Sequence, residues 1–499
     1  MNVSEHFVLR GGESFSEGRP QSTHLPTASA TTSSQPGIGQ VTIDVLPDGA
    51  LLEIFDFYKD DLTNRTVHFL TWRWIGMTQV CRRWRNIIFG SPQRLDLRLV
   101  CTNATPTRTS LKIWPPLPIF VYYEHMPWAV DENGLSNIIA ALEHRDRISD
   151  VYIHDIDGST LERLAAVMLE PFPALRLFHM GSIDDSVPVF SETFSGGSAP
   201  SLKSFSLSGI PFSTSHKFIL SIAQVESLYL VDIPNSGYIT PEAMVTFLAA
   251  LPNLGSLSLG FRSPLSRPVQ THRPPLARVV LPSLAILRFS GVSEYFEDIV
   301  ARIDIPLLNR LRVTFFKNPI FHVPQLHDFI YRTEGPWSHN QASMEFSGTA
   351  IKIMFGPLGH FDLQVRCERP DWQLSSISQI FSEQLPPLLH VERLELREST
   401  SHLTKWKTNP DVDASRWLEL FRLFTSVQSL YVSKILVPPV VAALQELSEG
   451  GTLELLPALQ RLSLEGLRPA GPEQKTIQSF VDSRRLTNHP VVIQNWERQ

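Results

Sequence analysis

Val225-Glu-Ser-Leu-Tyr-Leu230, Leu254-Gly-Ser-Leu-Ser-Leu259 and Leu284-Ala-Ile-Leu-Arg-Phe289 decide how this chain folds. Each reads L-x-x-L-x-L, with apolar residues at the first, fourth and sixth places. The fourth and sixth, two apart, fall on one face of a strand. The same unit occurs at Ile148–Ile153, Leu175–Met180, Leu202–Leu207, Leu308–Val313, Val391–Leu396, Val427–Val432 and Leu459–Leu464. Successive starts from Ile148 to Leu308 lie 27, 27, 23, 29, 30 and 24 residues apart. One such unit cannot bury its own apolar face, so ten of them at this spacing predict an array that stacks unit on unit. The 83-residue interval from Leu308 to Val391 is too long for one unit, and Leu358-Gly-His-Phe-Asp-Leu363 divides it into 50 and 33.

Helical signals sit between the strands. Thr240-Pro241-Glu242 reads as an N-cap, a proline at the first helical position and an acid at the positive helix end, with Met244, Phe247 and Leu248 on one face. Ser159 or Thr160 can cap the run from Glu162 to Leu169, and Pro324 can open the run from Gln325 to Tyr331. Ser293, Asp413 and Pro438-Pro439 precede similar runs. Two-residue hairpins are absent, so alternating strands and helices predict parallel strands. Ahead of the array, Arg94–Val100 and Leu117–Tyr123 read as two further strands.

The N-terminal part differs. Residues 1–40 are rich in Ser, Thr and Pro and read as a disordered tail. After Leu46-Pro47, the residues Leu51, Leu52, Ile54, Phe55 and Tyr58 recur at helical spacing. Asp60-Asp61 and Thr63-Asn64-Arg65 then break the period. From Trp72 to Phe89 the pattern returns, with Val80, Trp84, Ile87 and Ile88 on one face and Arg82, Arg83 and Arg85 off it. The order L-P-x-x-x-L-L-x-I-F, a spacer, then V-C-R-x-W-R resembles an F-box, although the spacer between Tyr58 and Trp72 is longer than usual. The resemblance implies docking on the adaptor Skp1 through Leu46, Pro47, Leu51, Ile54, Val80, Cys81 and Trp84. It also implies that the rest of the chain selects a substrate for a cullin–RING ubiquitin ligase.

The repeats resemble leucine-rich repeats of an irregular type. That family usually carries Asn or Cys three residues after the last Leu of the strand. Here the place holds Ile156, Ile183, Ile210, Ile233, Val292, Phe316, Ile435 and Leu467. The whole chain thus resembles fungal-type F-box proteins with an irregular repeat domain. The expected fold class is α/β: an N-terminal helical F-box at 41–92, a strand-containing connector at 93–139, a leucine-rich-repeat-like solenoid of parallel strands alternating with helices at 140–490, and a tail at 491–499. The alternative is a repeat scaffold for protein–protein interaction whose N-terminal helices only cap the array.

Composition narrows the classes. With 44 Lys and Arg against 50 Asp and Glu, the net charge is −6 and gives no argument for nucleic-acid affinity. Three cysteines, Cys81, Cys101 and Cys367, support neither a disulfide framework nor a zinc site and fit a reducing compartment, cytoplasmic or nuclear. No run of about 18 apolar residues predicts a membrane span, and no signal peptide opens the chain. Phosphate-loop, hydrolase-elbow, zincin and dinucleotide motifs are absent, so no enzyme, cofactor or metal is expected. His154-Asp155 with Asp157 reads as a strand exit rather than a catalytic cluster. His322 and His327, five apart, do not share a helical face.

The residues flanking the fourth place of each unit point away from the core. Small polar residues dominate the first half of that row. Arg288, Arg310, Arg312, Arg393 and Arg461 occupy it in the second half, and Tyr229 and Tyr431 join them. Arg and Tyr favour recognition, so these seven residues are the expected substrate surface, for an acidic or phosphorylated segment. Pairing with the chain's own carboxylates, such as Glu395 beside Arg393, is the competing use.

Overall fold

The computed structural model describes residues 43–60, 73–124, 132–184, 187–263, 277–316, 320–333, 339–356, 359–381, 390–399, 414–450, 455–466 and 472–496. The expected tail at 1–40, the interruption from 61 to 72, Asp185, Asp413 and Leu467 lie outside them.

Three helices come first: Asp48–Asp60 (α1), Arg73–Val80 (α2) and Arg82–Gly90 (α3). The strands begin with Leu99–Thr102 (β1), Ile119–Glu124 (β2), Ile148–Ile156 (β3), Leu177–Ser182 (β4), Ser204–Ser208 (β5), Ser227–Ile233 (β6) and Ser256–Phe261 (β7). Next are Val279–Val280 (β8), Ile286–Gly291 (β9), Ile303–Asp304 (β10) and Arg310–Phe315 (β11). The C-terminal set is Gln341–Phe346 (β12), Ala350–Phe355 (β13), Phe361–Arg366 (β14), Arg393–Glu398 (β15), Ser429–Val432 (β16), Arg461–Glu465 (β17) and Val492–Trp496 (β18).

Sixteen of these strands form one sheet in the order β1-β2-β3-β4-β5-β6-β7-β9-β11-β14-β13-β12-β15-β16-β17-β18, while β8 pairs with β10 apart from it. The chain is therefore α/β with a large, mostly parallel sheet. The fourth places of the repeat units lie in register. Val151, Phe178, Phe205, Leu228, Leu257, Leu287 and Leu311 meet strand to strand and are almost fully buried. The row continues through Phe361, Phe355, Ala342, Leu394, Leu430 and Leu462. A one-residue slip in any strand would turn its apolar set to the other face, so burial itself sets this register. The helices cover the same face. Met244, Phe247 and Leu248 of the helix Pro241–Ala249 enter the common core, and Thr240 caps that helix by accepting the Ala243 N–H at 3.3 Å.

Several expectations are corrected. In the interval from Leu308 to Val391, Phe361 and Leu363 of the expected unit do lie on a strand in register with β11, but β12 and β13 join it and β13 runs antiparallel to both neighbours. The strand expected at Arg94 starts only at Leu99, after a turn. The expected tail at 491–499 contains β18, which pairs in parallel with β17. Asp157, not Ser159 or Thr160, caps the helix Gly158–Val167, its Oδ1 accepting the Thr160 N–H at 2.7 Å. Ser293 and Pro324 begin their helices as expected.

The apolar residues three places after the strands split. Ile156, Ile210, Ile233 and Phe316 are buried, whereas Ile183 is exposed. Neighbouring loops are tied by other groups. The Ser182 hydroxyl and the Ile183 N–H both donate to the Ile156 carbonyl, at 2.8 and 3.3 Å. Arg262 reaches back to donate to the Asp184 carbonyl at 3.0 Å. It passes over Gly209, whose φ of 68° and lack of a Cβ leave room for the Ser182 carbonyl.

Candidate interaction surfaces

The predicted segment from Trp72 to Phe89 is broken at Cys81. Its extended backbone ends α2, and its Sγ accepts the Trp84 N–H at 3.4 Å to start α3. Val80 is therefore separated from the face that carries Ile87 and Ile88. It is 60% exposed, while those two are buried. Arg83 and Arg85 turn out to be struts. Arg83 donates to Asp48 Oδ1 at 2.6 Å and to the Leu46 carbonyl at 2.5 Å, tying α1 to α3, and Arg85 donates to the Thr78 carbonyl at 2.9 Å.

The seven residues expected to dock a partner do not share one surface. Leu51 is fully buried beside Phe55, and Trp84 packs edge-on to Phe55 with ring centroids 4.8 Å apart. Leu46, Cys81 and Trp84 are half-buried, whereas Pro47, Ile54 and Val80 are exposed. Sequence reasoning missed Phe57, 75% exposed, which with Ile54 occupies the outer side of α1, and also Ile43 and Val45 just before it. An apolar residue off the main apolar face was the available signal. The inner sides of these helices face the first strands: Trp74 Nε1 donates to the Arg98 carbonyl at 3.2 Å, and its ring meets Trp114 at 5.6 Å.

On the face of the sheet opposite the core, Tyr229, Ser258, Arg288, Arg312 and Asp362 lie side by side on adjacent strands. Arg310 is two residues before Arg312 on β11, on the same face. Arg312 Nε donates to Asp362 Oδ2 at 3.0 Å, and Lys352 Nζ lies 3.5 Å from the same oxygen. Asp362 is 2% exposed, so this carboxylate is an internal anchor for two cations. Lys352 was not legible as part of this group, because it belongs to the antiparallel β13, whereas Asp362 holds an outward place of the Leu358–Leu363 unit on β14, which runs parallel to β11.

Arg393, Tyr431 and Arg461 form a second group, with β14, β13 and β12 between it and β11. The Arg393 guanidinium lies 5.8 Å from the Tyr431 ring centre, and Arg461 Nη1 is 3.5 Å from Ser429 Oγ. Glu395, expected beside Arg393, pairs instead with Arg397 and accepts from Gln341 Nε2 at 3.3 Å.

A third feature lies nearer the N-terminus. Tyr122, Tyr152 and His179 stack on adjacent strands, with centroids 5.4 and 4.4 Å apart, and His154 lies parallel to His179 at 5.4 Å. Burial, and then the nearby His154, push the His179 pKa down to about 4, so its imidazole is neutral at pH 7 and shares a 2.8 Å hydrogen bond with Ser206. His154 Nδ1 meets Asp155 Oδ1 at 2.6 Å. Asp157 is occupied as a helix cap, so the three residues converge on no common centre. His327 is buried against the Ile380 carbonyl at 2.8 Å. Among the described residues no three His, Cys, Asp or Glu side chains are grouped to hold a metal ion, and no described helix is long and apolar enough to cross a membrane.

No protein-family model matches this chain, and no curated protein matches its sequence.

Proposed function

We propose that this chain is a substrate-recognition adaptor of a Skp1–cullin–F-box ubiquitin ligase, acting in the cytoplasm or nucleus. The helices α1 to α3 form the F-box that docks on Skp1, and the repeat domain, of leucine-rich-repeat type, holds the substrate on its open face. The chain itself carries out no chemistry in this reading, since ubiquitin transfer belongs to the assembled ligase. The observation that carries it is the set of large apolar side chains left in water on a small helical module: Val45, Ile54, Phe57 and Val80. Exposing such groups costs solubility and gains nothing unless a partner covers them.

Binding of the full chain to purified Skp1 is the test. Phe57→Asp with Val80→Asp changes only exposed positions, so melting should stay near normal while Skp1 affinity falls at least tenfold. Leu51→Ala is a poor probe, because truncating a fully buried Leu typically costs roughly 2–5 kcal/mol of stability. A second reading has its own support. Leu51, Phe55, Trp74 and Ile88 join one continuous core with Leu95 and Leu97, as a cap on a repeat scaffold would. Absence of Skp1 binding by the unmodified chain would favour that scaffold.

A further inference from the structure

We propose that this chain pairs with a second copy of itself through β18, the last strand of the sheet, in an antiparallel two-fold contact. The proposal stands apart from the adaptor reading, since it uses the opposite end of the sheet from the N-terminal helices.

The two end strands differ. β1 is closed off: Leu99, Val100 and Cys101 are buried, and the Thr105 hydroxyl accepts the Thr102 N–H at 3.0 Å. β18 is open. Val492 is 58% exposed, and Gln494 and Asn495 are exposed beside it. The Val492 N–H donates to the Gln460 carbonyl at 2.8 Å, so Val492, Gln494 and Trp496 turn their backbone groups toward β17. The backbone groups of Ile493 and Asn495 turn to the other side, where no strand pairs with them among the described residues. Charged residues, prolines and bulges are the usual guards of such an edge, and Val492–Trp496 holds none of them.

An edge in this state is a template for another strand, and its details select a second copy. The register that pairs the whole of β18 with itself centres on Gln494. Ile493 and Asn495 of one copy then exchange N–H···O bonds with Asn495 and Ile493 of the other, and four hydrogen bonds satisfy every outward group. Gln494 meets its own counterpart across the axis. A carboxamide both donates and accepts, so it is self-complementary there, and no like charges oppose each other along the strand. A two-fold axis normal to the sheet also keeps both helical layers on one side, with the helix Pro472–Leu486 of each copy flanking the seam. Leu486, at the end of that helix, is 89% exposed. A lone extended segment from another protein would cover the strand and leave the helix layer in water. Because β1 is covered, β18 of one copy cannot add to β1 of the next and grow a filament, so the closed contact is the one left.

Sedimentation equilibrium of the full chain at micromolar concentration is the test, and a mass near twice 56.3 kDa is expected. Gln494→Lys sets two ammonium groups against each other at the axis, and Gln494→Glu two carboxylates. Each should raise the dimer dissociation constant about tenfold or more, with the circular dichroism of the fold unchanged. An equimolar mixture of the two variants should recover the dimer, since Lys then meets Glu. Asn495→Pro removes an outward N–H and none that β17 uses, and should give a folded monomer. Phe57→Asp with Val80→Asp, at the far end, should leave the mass unchanged. A monomer from the unmodified chain overturns the proposal, whether or not a foreign segment then takes the edge. So does a dimer that Gln494→Lys and Asn495→Pro leave intact, or one that Phe57→Asp with Val80→Asp breaks.

Discussion

Between β3 and β11 the chain runs 18 to 24 residues from one strand of the main sheet to the next, and every pairing is parallel. Between β12 and β14 only residues 347–349 and 356–360 connect the strands, and both pairings are antiparallel. Connection length decides the difference. A parallel crossover needs a dozen or more residues, so a chain that turns back within five must pair antiparallel. The core survives the change, because side chains alternate with the same period in either direction: Leu363, Ile353 and Met344 stack in register and are fully buried. The change also reaches the surface, since it brings Lys352 and Asp362 beside the arginines of β11.

Core truncation should break the comparison most clearly. Leu257→Ala in the parallel part and Ile353→Ala in the antiparallel part each remove a buried side chain and should each cost roughly 2–5 kcal/mol in chemical denaturation. Their spread should differ under hydrogen exchange. The first should loosen β6 and β9 as well, because repeats lean on their neighbours. The second should stay within β12 to β14. Equal deprotection of β9 and β16 by Ile353→Ala would show that the insert is no separate unit.

A smaller effect tests the seam between the two parts. Glu297, on the helix Ser293–Val300, accepts the N–H groups of Gln325 and Leu326, both at 2.8 Å, at the start of the helix Pro324–Arg332 that leads into the antiparallel strands. Burial raises its carboxyl pKa from 4.5 to about 7 against the opposing pull of those two N–H groups. The folded state therefore binds this proton more tightly than the unfolded chain, and stability falls as pH rises from about 4.5 to about 7. Glu297→Gln removes that dependence. Relative to the unmodified protein, the variant should gain on the order of 1–3 kcal/mol between pH 4.5 and pH 7, on top of a pH-independent offset from its amide facing an N–H. A flat difference across that window would refute the assignment.

The smallest effect belongs to helix starts. In the parallel part Asp157 caps its helix by side chain, and the Thr160 N–H holds its carboxyl below the usual pKa. Past the antiparallel strands, the helix Pro370–Ile380 starts without a capping side chain. Asp157→Ala should cost about 1 kcal/mol at neutral pH, and less as acid protonates the carboxylate. Equal loss at pH 7 and pH 3 would mean that the carboxylate charge does not matter.

Much of this was readable in the sequence. The units from Ile148 to Leu464 placed their buried residues correctly because L-x-x-L-x-L carries the strand period within six residues. Thr240-Pro241 marked a helix start for an equally local reason. The insert was not read, although Ser347-Gly348-Thr349 is a turn signal. Ala342 and Met344 fill the places that Leu holds elsewhere, so the template passed over them. The run from Trp72 to Phe89 carries no local sign of the break at Cys81, because a thiol seldom caps a helix.

By itself the sequence determined which residues of the repeat units are core and that strands and helices alternate, since both follow from apolar spacing along a short stretch of chain. Only the tertiary structure decided that Leu51 turns inward while Ile54, Phe57 and Val80 turn out, since a helix with apolar residues on several sides leaves its orientation to packing. It alone decided that Arg312 and Lys352 share Asp362 across β11, β14 and β13. Those three residues lie up to 50 positions apart, and only the reversed order of three strands makes them neighbours.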